Sequence, residues 1–135
     1  MKIDLKLNKE QGAPLFIDLF AGAGGLSEGF VRAGYRPAAH VEEDMAAAYS
    51  LRTRDVFHKL NGSGDLETYD GYLTGNITRD QFYEAARHFG PNCTINATIC
   101  TENLPSIFAR IDKLLDGRRA DLIIGGPPCR AYSLV

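Results

Sequence analysis

The sequence predicts a doubly wound α/β fold: a mostly parallel sheet with helices crossing over both of its faces. Three observations carry the prediction. Short apolar runs at 15–20, 38–42 and 121–124 are separated by stretches with helical spacing of apolar residues. The first run is nearly continuously apolar, as a strand covered on both faces is. Strand and helix then alternate four times along the chain, which right-handed crossovers join into one parallel sheet. With 135 residues and no linker, the chain is expected to form one domain.

The elements follow in order. Residues 1–13 are polar and irregular and read as a lead-in. The first strand, Leu15-Phe16-Ile17-Asp18-Leu19-Phe20, lies between Pro14 and a glycine cluster. A helix is expected over 26–33, with Leu26, Phe30 and Ala33 on one face and Gly34 placed to end it. A second strand fits 38–42, and Asp44 is positioned to cap a helix through Met45, Ala48 and Leu51. The small and polar residues at 61–76, among them Tyr69 and Tyr72, read as a loop. Thr78-Arg79-Asp80-Gln81 has the T-x-x-Q form of a capping box, so a helix is expected over 79–89, with Ile77 and Phe82 as a hydrophobic staple. A third strand fits the alternating run 94–99. A helix over 104–115 follows, with Pro105 in its first turn and Gly117 after its end. The fourth strand, 121–124, runs into Gly125-Gly126-Pro127-Pro128-Cys129.

Composition sets bounds on function. The chain is 44% hydrophobic and 24% charged, as ordinary globular domains are. No apolar run approaches the ~20 residues of a membrane span, and the N-terminus has no signal-peptide pattern, so a cytoplasmic location is expected. The net charge of −2 shows no overall attraction to a polyanion. Basic residues do cluster, at Arg52, Arg54 and Lys59 and at Arg118, Arg119 and Arg130, and such clusters read most simply as solvated surface. Three cysteines, Cys93, Cys100 and Cys129, have no metal-binding spacing. They read as reduced thiols, with Cys93 and Cys100 as small packing residues and no metal site.

Two features carry chemistry. The first is the turn Phe20-Ala21-Gly22-Ala23-Gly24-Gly25-Leu26 between the first strand and its helix. Glycines there let a ligand approach the backbone, and free amides at a helix start favour a negative group. Glu42, at the tip of the second strand, is placed to accept the hydroxyls of a ribose. The turn departs from the dinucleotide fingerprint G-x-G-x-x-G at Ser27, and it lacks the Gly-Lys-Ser/Thr of a triphosphate loop. Asp18, inside an apolar strand, needs a hydrogen-bonding partner, and the amides of the glycine turn are the expected one. The second feature is Cys129, mounted behind two prolines that stiffen its approach. The first and fourth strands of a doubly wound sheet lie side by side, so the glycine turn and Cys129 are expected to face one crevice.

Phe16-Ile17-Asp18-Leu19-Phe20-Ala21-Gly22-Ala23-Gly24-Gly25 resembles the S-adenosylmethionine-binding motif of DNA cytosine-5 methyltransferases. Gly125-Gly126-Pro127-Pro128-Cys129, continued by Ala131-Tyr132-Ser133, resembles their catalytic loop. The resemblance covers roughly 15–135, with 56–93 its least familiar stretch. It implies a Rossmann-like methyltransferase sheet, incomplete at four strands, with S-adenosylmethionine as cofactor and double-stranded DNA as partner. It implies that Cys129 is the nucleophile and that Glu42 holds the cofactor ribose. Phe20, Gly22, Gly24, Gly25 and Leu26 would line the methionine side, Glu43 and Ile99 the adenine side, and Pro127 the border of the pocket. Arg130 and Ser133 would contact DNA. Thr98 stands where the family usually has Asp, and Arg130 stands where it has Gln.

The same resemblance implies a covalent mechanism on a flipped-out cytosine in a DNA-methylation or restriction-modification system. It also implies motifs that these 135 residues do not contain: a Glu-Asn-Val acid, an arginine motif and a target recognition domain. The chain is therefore expected to be the N-terminal part of such an enzyme, either truncated, disrupted or paired with a second polypeptide. The competing reading is an inactive Rossmann-like module that binds S-adenosylmethionine or another nucleotide, with a purely structural Pro-Pro-Cys.

Overall fold

The computed structural model describes residues 12–128. Its sheet has four strands, all parallel, in the order β3-β2-β1-β4. These are β1 (Leu15–Leu19), β2 (Arg36–Glu42), β3 (Thr94–Asn96) and β4 (Leu122–Gly125). The helices are α1 (Gly25–Arg32), α2 (Met45–Ser63), α3 (Leu66–Leu73), α4 (Arg79–Ala85) and α5 (Leu104–Leu115), with a short 3-10 turn at Arg87–Phe89. Helices cover both faces of the parallel sheet, so the predicted class holds.

Alternation along β1 sorts the two faces. Leu15 and Ile17 are buried with Ala39, Val41, Ile95 and, from α5, Ile107 and Ile111. Phe16 and Asp18 point to the other face, where α1 and α2 lie. There the Phe16 ring meets Phe30 at 5.6 Å and His40 at 6.0 Å. The chain builds outward through β1, β2 and β3, then crosses under the sheet through α5 to place β4 on the far side of β1. That reversal puts the topological switch between β1 and β4.

Several elements differ from the sequence reading. Phe30 packs inward as expected, but the residue of α1 that is buried is Ser27, while Leu26 is 49% exposed. The reason is Asp18: its carboxylate sits beneath α1 and draws the one hydroxyl that can satisfy it. Residues 61–76 are not a loop. Helix α2 continues to Ser63, where Gly64 ends it at φ 83°, and Asp65 then caps α3 through the Thr68 amide at 3.1 Å. Tyr72 of α3 stacks on Phe82 at 4.5 Å and 6°, and Tyr69 lies 5.9 Å from the same ring. Burial against Phe82 overrides the loop-like composition, because helical stability comes mainly from packing an apolar face.

The capping box is present, with Thr78 and Gln81 bonded reciprocally and Ile77 packed beside Phe82. The α-helix it starts is shorter than expected and ends at Ala85. Strand β3 stops at Asn96 instead of 99, because its neighbour β2 ends at Glu42; one further bond, from the Ala97 amide to the Glu42 carbonyl, closes the ladder. No helix among the described residues is long and apolar enough to cross a membrane.

Candidate functional site

Strand register levels the parts of the site. Leu19 pairs with Val41 on one side and with Gly125 on the other. The glycine turn, the tip of β2 and the start of the Gly-Gly-Pro-Pro segment therefore leave the sheet at one edge, the carboxyl ends of the strands. Gly125 makes this possible. A Cβ there would run into the Leu19 carbonyl oxygen, so only glycine lets β4 approach β1 at the switch point. Pro127 is exposed at this edge. Cys129, Arg130 and Ser133 lie outside the described residues.

The turn itself is tightly bent. Phe20, Gly22 and Gly24 have φ of 59°, 57° and 90°. The left-handed region is routine for glycine but unusual for a bulky aromatic, and Phe20 stays there with 37% of its surface exposed. The surroundings over-determine this shape. The Ala21 amide donates to the Val41 carbonyl at 3.1 Å, and the Gly22 amide donates to Glu42 Oε2 at 2.7 Å. Helix α1 then starts at Gly25 with no side-chain cap. Open space lies over Gly22 and Gly25, where an added Cβ would meet nothing within 4 Å. The start of α1, with Leu26 beside it at the surface, is thus left uncrowded, and an uncapped helix start of this kind favours an anionic group.

Glu42 is the hinge of the site. Its Oε2 accepts from the turn, and its Oε1 accepts from the Asp44 amide at 2.8 Å, just before α2 begins. Each carboxylate oxygen keeps a second lone pair for an outside donor. Asn96, which the sequence reading passed over, secures the strand tip by donating through Nδ2 to the carbonyls of Glu42 and Glu43, each at 2.9 Å. The Glu43 side chain is exposed. Ile99 is half-buried and packs on the apolar layer beside Val41 and Ile107, while Thr98 is exposed and its carbonyl accepts from Asn103 at 2.9 Å. These donors and acceptors fit an adenosyl cofactor: a carboxylate for a ribose, amides for a carboxylate end, and glycines that keep the space open.

Asp18 departs from expectation. Its Oδ2 accepts from the Ser27 hydroxyl and not from the turn amides, and its Oδ1 has no partner among the described residues. Burial pushes its carboxyl above the usual range, the Ser27 bond partly offsets this, and the nearby Glu42 charge adds to it. Cys93 is likewise more than packing. Its sulfur lies 3.3 Å from His40 Nδ1 and 3.7 Å from Asp55 Oδ1. Burial pushes that thiol well up and pulls His40 down to about 4, so both are neutral and the pair is no activated nucleophile. Three of the basic residues read as solvated are engaged, Arg118 among them through the Leu115 carbonyl at 3.1 Å. Lys59 bonds Asp55 and the carbonyls of Gly90 and Pro91, and Arg54 bonds the Ala23 carbonyl. Among the described residues no cluster of three His, Cys, Asp or Glu could hold a metal ion.

A cavity of about 390 Å³ lies apart from this edge, between α1, α2 and the amino ends of β1 and β2. Its lining runs from Leu15 and Tyr35 to His40 and Cys93, and it touches the glycine turn only at Gly24. Strand topology, not enclosed volume, assigns the site, because ligands of doubly wound sheets bind beyond the carboxyl ends of the strands.

With this geometry in place, comparison with known proteins points one way. The chain is 39% identical to a type II methyltransferase of Bacillus paralicheniformis, a match covering 90% of this chain and 32% of that protein. It is 31% identical to a putative type II methyltransferase of Methanocaldococcus jannaschii and to a type II methyltransferase of Picosynechococcus. Those matches cover 87% of this chain and 36% and 33% of the relatives. The relatives are type II methyltransferases. The chain spans about a third of their length. No protein-family model and no solved structure matches it.

Proposed function

We propose that this chain carries the cofactor-binding edge and the nucleophile of a DNA cytosine-5 methyltransferase of a restriction-modification system. The observation that supports this most directly is the carboxylate of Glu42 bonded to the Gly22 amide at 2.7 Å, at the same sheet edge as an uncapped helix start and the Gly-Gly-Pro-Pro segment. Similarity to type II methyltransferases over nine-tenths of the chain supports the methyl-transfer half of the reading. The cytosine-5 half rests on Cys129 and the motif around it.

S-adenosylmethionine, when bound, supplies an activated methyl group. The chain's own residues bind and orient. Glu42 accepts the ribose hydroxyls through its free lone pairs while it braces the turn. The amides of Gly25 and Leu26 face the carboxylate end, and Phe20 closes the methionine side. Glu43 and Ile99 border the adenine. Pro127 and Pro128 fix the direction of Cys129, whose thiolate adds to carbon 6 of a flipped cytosine and makes carbon 5 nucleophilic. Arg130 and Ser133 contact the DNA. The thiolate is the nucleophilic form, and it needs a lowered pKa or an adjacent base because a free thiol is only a few per cent ionised at neutral pH.

The first test is calorimetry on the full chain. S-adenosylmethionine should bind and NAD should not, and Glu42→Ala should weaken binding by about 1–3 kcal/mol, the cost of unpaired hydroxyls. Equal affinity for NAD would favour a general nucleotide-binding module instead. The second test uses DNA containing 5-fluorocytosine and the chain joined to the remaining segments its relatives carry. A covalent adduct should form and should vanish with Cys129→Ser.

A further inference from the structure

Arg54 projects from α2 toward the glycine turn, and its bonds there are specific. Its Nε donates to the Ala23 carbonyl at 2.8 Å. Its Nη1 lies 3.5 Å from Glu28 Oε2 on α1. Glu28 is held in turn by His58 Nε2 at 2.9 Å and Arg32 Nε at 3.1 Å. The Gly24 amide donates to the Ala21 carbonyl at 3.1 Å, so both ends of the peptide plane between Ala23 and Gly24 are tied. The stem of Arg54 also forms the floor of the turn. A Cβ on Gly24 would meet Leu51 Cδ2 at 2.9 Å and Arg54 Cδ at 3.2 Å.

A peptide plane beside a left-handed glycine can turn over cheaply, because glycine populates both signs of φ. Turning this plane over would swing the Ala23 carbonyl away from α2 and place a partial negative charge in the turn. That charge would oppose the negative group that the uncapped amides of α1 attract. A bond to a guanidinium is charge-assisted and stronger than one to a neutral donor, so it is suited to holding the carbonyl back.

We infer that Arg54 is a positioning residue for the cofactor turn: it holds the Ala23 carbonyl against α2 and so keeps that partial negative charge out of the space that the carboxylate end of the cofactor would fill before the Gly25 and Leu26 amides. Glu28, fixed by His58 and Arg32, holds the guanidinium in place. The inference rests on the cofactor reading of this edge given above.

Two ligands separate positioning from general support. S-adenosylhomocysteine carries the amino-acid end; 5′-methylthioadenosine keeps the adenine and ribose without it. In calorimetry on the full chain, Arg54→Ala should weaken S-adenosylhomocysteine about tenfold or more and leave 5′-methylthioadenosine within about twofold. Arg54→Lys, which keeps a cationic donor on a flexible stem, should recover part of the loss. Glu42→Ala, acting at the ribose, should weaken both ligands. Thermal unfolding of each variant checks that it is folded, and if Arg54→Ala does not fold, Glu28→Gln should show the same ligand-selective loss in smaller measure. Unchanged affinity for S-adenosylhomocysteine, or an equal loss for both ligands, overturns the role of Arg54 alone. Failure of the wild-type chain to bind either ligand overturns the cofactor reading and this inference with it.

Discussion

His40 shows how one residue couples burial to pH. It sits on β2 under α2, edge-on to Phe16, with Nδ1 toward the Cys93 sulfur and Asp55 just beyond. Burial lowers its pKa from 6.5 to about 4. The unfolded chain therefore binds a proton between those values that the folded chain refuses. Stability is unaffected by this group above about pH 6.5 and is lost as pH falls through the window. A drop of about 2.5 units corresponds to about 3 kcal/mol at 1.36 kcal/mol per unit. Denaturant unfolding of the wild type and His40→Gln should show the wild type losing stability faster between pH 6.5 and 4; parallel curves would mean that His40 takes its proton while folded. Asp18 is the opposite case: its raised pKa means that its contribution fades as pH rises through the carboxylate range.

Two elements make separable claims on stability. Helix α4 is nucleated by its capping box, so Thr78→Ala should cost about 1 kcal/mol in denaturant unfolding, with Thr78→Ser close to wild type. Strand β4 depends on Gly125 because a side chain there collides with the β1 backbone. Gly125→Ala should cost about 1–3 kcal/mol by overpacking, and it should loosen the β1–β4 pairing first. Amide exchange would locate that loosening at Leu19 and Ile123; uniform protection in the variant would mean that the added methyl group is accommodated with the β1–β4 pairing intact. The capping box was legible in the sequence because its signal is local, two side chains three residues apart. The need for glycine at 125 was not, because the obstructing atom belongs to a strand about a hundred residues earlier.

For the whole molecule, the decisive fact is that the chain spans about a third of the length of the methyltransferases it resembles. The edge proposed for the cofactor lies within residues 12–128, and under the proposed cytosine-5 reading the acid that protonates the ring is expected elsewhere. General acid help is worth ~10²–10⁴-fold, and a net charge of −2 provides little nonspecific attraction to DNA. Residues 1–135 alone should therefore transfer no detectable labelled methyl group to mixed-sequence DNA, and activity should appear when a second polypeptide supplies the rest. Turnover by the chain alone, abolished by Cys129→Ala, would show that the chemistry needs less of the fold.

What the sequence determined by itself was everything governed by short-range pattern. Apolar runs marked three strands and an alternating run the fourth, the Asp44 and Thr78 caps marked two helix starts, and the spacing of Gly22 and Glu42 brought turn and carboxylate together, as the 2.7 Å bond records. Tertiary structure decided what depends on a distant partner. Helix α3 forms because Tyr69 and Tyr72 find Phe82, although the composition of 61–76 reads as a loop. Asp18 takes Ser27 instead of the turn amides, because α1 brings that hydroxyl over the strand. Arg54 reads as surface charge until α2 lays it beside the Ala23 carbonyl. In each case the partner is a buried ring, a buried carboxylate or a carbonyl of the tight turn, and which group meets it is set by how the elements pack, not by neighbours in the chain.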